Sequence, residues 1–326
     1  MAKTIFVENN IFEHSRTKKI LSVIKASNII KIDHYGEIFN RSKQNFRIQK
    51  DSLNYIIAAK KNNLVIPVPP ITTSVKGYYF SHMYNCIYDC NYCFLQGHFN
   101  SAYHVYFINY EDFKEAILNE TRKTKTRIWF FSGYDCDSLA SEKITGFAEY
   151  FVPFFSNLKN CILEIRTKSS RTTELLNIKP NPNVVCAFSL NLQNLIELFE
   201  KGTPSLSSRI RSIKLLSENG WKIGLRFDPL ILTTARKEDY LELFKMAVNS
   251  IPENSIHSVS LGSLRLSENH HKKMVKNDMQ NQLLFDNRYG YKEKIWQPDP
   301  EIQDAEIWLS EHLKNLIPQS SIFLSK

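Results

Sequence analysis

At 326 residues, 43% of them apolar, the chain is long enough for one large α/β domain with an ordinary packed core, and no repeat or low-complexity block interrupts it. No apolar stretch reaches the length of a membrane span, and the start, Met1-Ala-Lys-Thr-Ile, lacks the hydrophobic run of a secretory signal, so a cytoplasmic protein with no membrane partner is expected. The net charge of +9, gathered in runs such as Thr121–Arg127, Arg166–Arg171 and Arg209–Lys214, admits nucleic acid as a partner, although solvated helix faces rich in lysine account for such runs as well.

The first 70 residues read as a small α/β extension. It holds a strand at Thr4 to Val7, a helix near Arg16 to Ala26, a strand near Asn28 to Ile32 and a helical stretch from Asp51 to Lys61. Pro67, Pro69 and Pro70 then punctuate the chain. Beyond them strands and helices alternate. Strand-like runs fall at Lys76 to Phe80, Arg127 to Ser132, Cys161 to Thr167, Val184 to Leu190, Trp221 to Phe227 and His257 to Leu261. Helical periodicity fills Tyr110 to Arg122, Ser205 to Asn219 and Lys237 to Val248.

Such alternation implies right-handed βαβ units and a parallel sheet. Six strands, not eight, predict an α/β fold built on a partial, open (β/α)6 barrel over 71–270. A C-terminal helical segment, 271–326, closes its mouth. Ligands of such folds sit at the carboxyl ends of the strands. Gly133, Ser189, Asn191, Asp228 and Arg265 all fall at or just past strand ends.

Directly after the first of these strands comes Cys86-Ile-Tyr-Asp-Cys90-Asn-Tyr-Cys93. Three thiolates at this C-x3-C-x2-C spacing suit three irons of a [4Fe–4S] cluster, leaving the fourth iron open to chelate S-adenosylmethionine (SAM). The alternatives are a zinc site completed by His82 or His98, a thioredoxin-like Cys90-x-x-Cys93 pair, and three unrelated buried cysteines. Cys161 and Cys186 lie inside apolar runs and read as core. A labile cluster needs reduced thiols, which again fits the cytoplasm.

The cluster motif, continued as Phe94-Leu-Gln96, is joined by Gly133-Tyr-Asp-Cys136-Asp-Ser138, Thr167-Lys168, Phe188-Ser-Leu-Asn191, Phe199-Glu-Lys-Gly-Thr203 with Arg209, Gly220-x-x-x-Gly224 and Arg288-Tyr-Gly290. Over nearly its whole length the chain resembles the spore photoproduct lyase family of radical SAM enzymes. The resemblance implies a radical SAM barrel and reversal of a thymine dimer lesion, 5-thyminyl-5,6-dihydrothymine, in DNA. It also implies an electron donor such as a flavodoxin or ferredoxin.

By the same resemblance Cys86, Cys90 and Cys93 would ligate the cluster. Gly133, Lys168, Ser189 and Asn191 would contact SAM, and Tyr92 would stand beside the cluster. Cys136, at or within one residue of the family's donor position, would return a hydrogen atom to the product radical, and Arg288 with Tyr289 would meet the lesion. One position departs from the family: Phe94 stands where the lyases carry a tyrosine, and phenylalanine has no phenolic hydrogen to give. The Gly224-Leu-Arg-Phe-Asp-Pro229 string is shared with broader relatives, which leaves a different nucleotide or a peptide as an alternative substrate.

Overall fold

The protein is described by a computed structural model over residues 4–52, 54–69, 76–317 and 322–324. Pro70 and the boundary between 70 and 71 lie outside the described residues.

The six expected strands form the centre of one sheet. They run in parallel as Lys76–Phe80, Ile128–Ser132, Cys161–Thr167, Val184–Ser189, Lys222–Leu230 and Ile256–Ser263, each beside the next in sequence. Two short edge strands, absent from the sequence reading, extend it to eight. Ile66–Pro67 pairs antiparallel with the first barrel strand, and Ile322–Leu324 pairs parallel with the sixth. These two edges do not pair with each other among the described residues, so the barrel stays open.

The central strands are buried on both faces, as parallel sheets are: Val184–Ser189 has no exposed residue. Helices cover the outside. Tyr110–Arg122 turns Tyr110, Phe113 and Ile117 inward, one stripe of a 3.6-residue period, and carries Glu111 and Asp112 at its positive end and Arg122 at its negative end. Leu206–Glu218 starts at Ser205, whose hydroxyl accepts from the Ser208 amide at 3.3 Å. Both match their expected extents closely, as does Lys237–Asn249.

The N-terminal extension departs from the sequence reading in one respect. The expected helical stretch from Asp51 to Lys61 is instead the strand Tyr55–Ala58, preceded by a short helix at Phe46–Asp51. Ile56, Ile57 and Ala58 are wholly buried in the middle of a second sheet, where β-branched side chains pack well; that burial outweighs the helix-like alanine and lysine composition around them. This sheet runs Asn28–Ile32, Thr4–Glu8, Tyr55–Ala58, His104–Phe107, Met83–Tyr84. Its last two strands flank the cysteine loop, so the extension and the barrel share that loop.

The C-terminal region is not purely helical. Helices Glu268–Asn277 and Pro300–Lys314 enclose a hairpin of Tyr289–Lys292 and Ile295–Pro298. Among the described residues no helix is long and apolar enough to cross a membrane.

Candidate active site

The cysteine loop is held from three sides. Asn85, at φ +63°, donates from its side-chain amide to the carbonyls of Ser101 and Tyr103 at 2.8 Å each, and so turns the chain into the loop. Asp89–Cys90 pairs antiparallel with Glu200–Lys201, and the Asn91 amide donates to the Phe199 carbonyl at 2.8 Å. From the C-terminal region, Asn281 donates to the Asn91 carbonyl at 2.8 Å and Asn277 to the Gln96 carbonyl at 2.6 Å. Gln96 in turn donates to Asp89 at 2.8 Å, and Lys50 reaches both.

Cys86, Cys90 and Cys93 are free thiols on the wall of one cavity of about 1020 Å³. Burial pushes all three thiols up, so binding iron as thiolates releases protons. Among the described residues no three His, Cys, Asp or Glu side chains converge on a single metal point. Cubane ligands have no need to, because each thiolate takes a different iron, and the donor set fits a three-cysteine [4Fe–4S] cluster with one open iron. His82 and His98 stand elsewhere. His82 is buried against Phe147 with its ring centroid 4.2 Å away, and His98 lies 3.1 Å from His270.

Behind the loop lies a buried ionic network that sequence reading left without a role. Arg209 and Glu200, with side chains 0% and 1% exposed, form an ion pair. Arg209 also donates to Thr203 Oγ1 at 2.7 Å and to the Ser189 carbonyl at 2.9 Å. The Tyr92 hydroxyl donates to Glu200, so the ring is tied down between Cys90 and Cys93. Lys168 sits over that ring, its ammonium 5.5 Å from the centroid. Burial alone would lower the Lys168 pKa, but its electrostatic coupling to Cys90, Glu200 and Cys93 outweighs that and raises it.

Across the cavity, the second barrel strand is followed directly by Gly133, at φ +85°. A β-carbon there would lie 2.6 Å from Ser138 Oγ and 3.1 Å from the carbonyls of Arg166 and Cys136. Gly133→Ala is therefore expected to destabilise the fold by about 1–3 kcal/mol and to displace Cys136; urea denaturation and the alkylation rate of that thiol check this.

Asp137 stitches the turn to the third strand. Its carboxylate accepts from Thr167 Oγ1 and the Lys168 amide at 2.6 Å each, and from the Leu139 and Ala140 amides at 3.0 and 2.9 Å. Cys136, 6% exposed, faces the cavity on one side and packs in the core with Ile5, Val7, Met83 and Tyr106 on the other. Burial, then Cys86, Asp135 and Asp137, push its thiol up and hold it as S–H.

Ser189 and Lys168 also line the cavity. Asn191 does not. Its amide oxygen accepts from the Tyr240 hydroxyl at 2.9 Å and its nitrogen donates to the Pro229 carbonyl at 3.3 Å. Arg288 and Tyr289 likewise stand outside the walls. The Arg288 guanidinium holds Asp286 and the Thr233 carbonyl, and Tyr289 stacks on Trp296 with ring centroids 4.3 Å apart. Phe94 is in the cavity, its ring 5.1 Å from that of Tyr134, which stacks on Tyr79 at 4.2 Å.

The floor is ionic. Arg226 of the fifth strand meets Glu164 of the third at 2.8 and 3.2 Å and donates to Ser258 Oγ at 2.8 Å. Arg166 meets the same Glu164 at 3.3 Å. The visible signal for these residues was alternation: Glu164, Arg166 and Lys168, or Arg226 and Asp228, recur at spacing two in strands buried on both faces, so they point inward.

Comparisons with known proteins give the family and the fold. A family model described as "Spore photoproduct lyase" matches residues 1–324. The spore photoproduct lyase of Clostridium acetobutylicum is 24% identical over 235 residues, covering 69% of this chain and 70% of that protein. The Bacillus subtilis enzyme is 23% identical over 251 residues, covering 73% and 72%. A solved spore photoproduct lyase variant with bound AdoMet and dinucleoside spore photoproduct superposes with a TM-score of 0.83 at 16% identity, covering 99% of this chain and 98% of that one. The six-strand open barrel, the three-cysteine loop and the match over 1–324 together show that this chain belongs to the spore photoproduct lyase family of radical SAM enzymes.

Proposed function

We propose that this protein is a SAM-dependent lyase that reverses the spore photoproduct in DNA, with Cys86, Cys90 and Cys93 holding the cluster. The observation that carries this reading is a single cavity that presents those three thiols and the Cys136 thiol on its walls. When bound, the cluster and SAM supply a 5′-deoxyadenosyl radical. An external one-electron donor of flavodoxin or ferredoxin type serves the cluster.

The chain's own residues bind and aim. Lys168, cationic and half-buried, pairs with the SAM carboxylate, and Ser189 and the Gly133 turn border the same ligand. Tyr92, fixed by Glu200, holds the loop's orientation. Asn191 acts through Tyr240 and Pro229 as a positioning residue. Cys136, kept protonated, donates a hydrogen atom to the product radical, because a weak S–H bond yields readily to a carbon radical. Arg288, with a side chain 43% exposed on the surface, meets a DNA phosphate while Tyr289 braces its hairpin against Trp296.

The test is anaerobic, reconstituted, reduced protein with SAM and DNA containing the lesion, followed by mass spectrometry. Restored thymine with 5′-deoxyadenosine supports the reading. Deoxyadenosine without thymine would move the substrate elsewhere, the outcome that Phe94 leaves open. Cys136→Ala is expected to retain iron and SAM cleavage but to divert the product radical into adducts. Loss of iron in that variant would remove Cys136 from the donor role.

A further inference from the structure

Asp228 lies on the cavity wall, near the carboxyl end of the fifth barrel strand. The pairing of that strand with the sixth slips between Phe227 and Leu230: Phe227 pairs with Leu261, but Leu230 pairs with Ser263. Three residue steps on one strand therefore oppose two on the other. Such a bulge re-aims a side chain, and here it is braced from behind. Asn191 donates to the Pro229 carbonyl, and Tyr240 links Asn191 to the Ile231 amide at 2.7 Å.

One oxygen of the Asp228 carboxylate is fixed, accepting from Ser260 Oγ at 2.6 Å. The other, Oδ1, is buried and has no hydrogen-bond partner among the described residues. The arginines beside it are committed elsewhere. Arg226 is spent on Glu164 and Ser258, and Arg166 hydrogen-bonds Glu164 while acting on Asp228 only through its charge. A buried acceptor left unpaired is costly, and it asks for a donor from whatever fills the cavity.

We infer that Asp228 is a nucleoside-binding residue, whose Oδ1 accepts a hydrogen bond from an N–H or O–H of a nucleoside held in this cavity. A carboxylate repels phosphate and the SAM carboxylate, and the methionine end of SAM is expected at the open iron with Lys168, so the group left to meet Asp228 is the base or sugar. Tyr79, Trp129, Phe131 and Tyr134 on the same walls offer the flat apolar surface that bases stack on. Both SAM and the lesion are nucleosides, and either can supply the donor. The inference rests on the function proposed above.

The experiment measures equilibrium binding to anaerobic, iron-replete protein of SAM alone and of the dinucleoside lesion alone. Asp228→Ala is expected to raise the Kd of one of them roughly tenfold or more, with the other within about twofold. A rise for SAM identifies the cofactor's nucleoside; a rise for the lesion identifies the substrate's. Asp228→Asn, which keeps a carbonyl oxygen, should recover part of the loss for that one ligand. If the alanine variant does not fold, Ser260→Ala decides, since it frees the carboxylate to rotate and should weaken the same ligand. Wild-type affinity for both ligands in a folded variant overturns the inference alone. Wild-type protein that binds neither ligand overturns the function and the inference together.

Discussion

Cys90→Ala is expected to give a folded, colourless protein with neither cluster nor SAM cleavage. Cys90 sits at the centre of the loop, 5% exposed, on the ribbon it forms with Glu200–Lys201. Its backbone carries the loop's structure, because its carbonyl accepts from the Cys93 amide at 3.1 Å, and that bond survives the substitution. The Arg209–Glu200–Tyr92 network also remains. What is lost is a thiolate, and two cysteines do not hold three irons of a cubane. Iron analysis, the visible absorption of the cluster and 5′-deoxyadenosine formation should fall together, while the melting temperature stays close to that of iron-free wild type. A variant that keeps its iron and cleaves SAM at the wild-type rate would remove Cys90 from the ligand set.

The second large effect is on stability. Arg226→Ala strips the partner from Glu164, whose side chain is 2% exposed in the barrel interior. Leaving one half of a buried pair unpaired costs roughly 3–5 kcal/mol, a large part of the stability of a typical domain. Arg166, at 3.3 Å from the same carboxylate, relieves part of this. Burial alone would raise the Glu164 carboxyl, but Arg226 and then Arg166 overcome it and hold it at about 2. Its folded-state pKa is therefore below the ordinary carboxylate value of 4.5. The pair stabilises the protein fully above that ordinary value, and the contribution fades as pH falls from there towards about 2. Urea denaturation across that window should show a slope in wild type that is smaller in Arg226→Ala, where Arg166 alone faces Glu164. The same slope in both proteins would show that the pair does not carry it. Gly224 belongs to this arrangement, since a β-carbon there would lie 2.8 Å from Arg226 Nη2 and 3.0 Å from the Ala187 β-carbon.

Much of this was legible in the sequence because periodicity and burial agree in the barrel. The six strands and the helices after the first, fourth and fifth of them repeat apolar patterns that no competing structure can bury. Tyr55–Ala58 was misread because four residues are too few for a period to show, and its neighbours are good helix formers. The cysteine spacing declared itself, since thiolate chemistry constrains it locally. The Arg209–Glu200–Tyr92 network and the floor around Glu164 are different. Their partners lie 9, 62 and 108 residues apart, and only the folded sheet brings them together. Asn191, Arg288 and Tyr289 show the converse, because a strand-end or motif position does not say whether a side chain turns into the mouth or braces what lies behind it.

The asparagines that clamp the cysteine loop lie 181 and 190 residues beyond the carbonyls they hold. A ribosome makes the three cysteines in the first third of the chain and these asparagines near its end. During most of translation the thiols are already outside the ribosome while their loop is still unclamped. A chain truncated before Asn277 carries the full cysteine motif without the contacts that shape its loop, and is expected to hold less iron after reconstitution than the full chain.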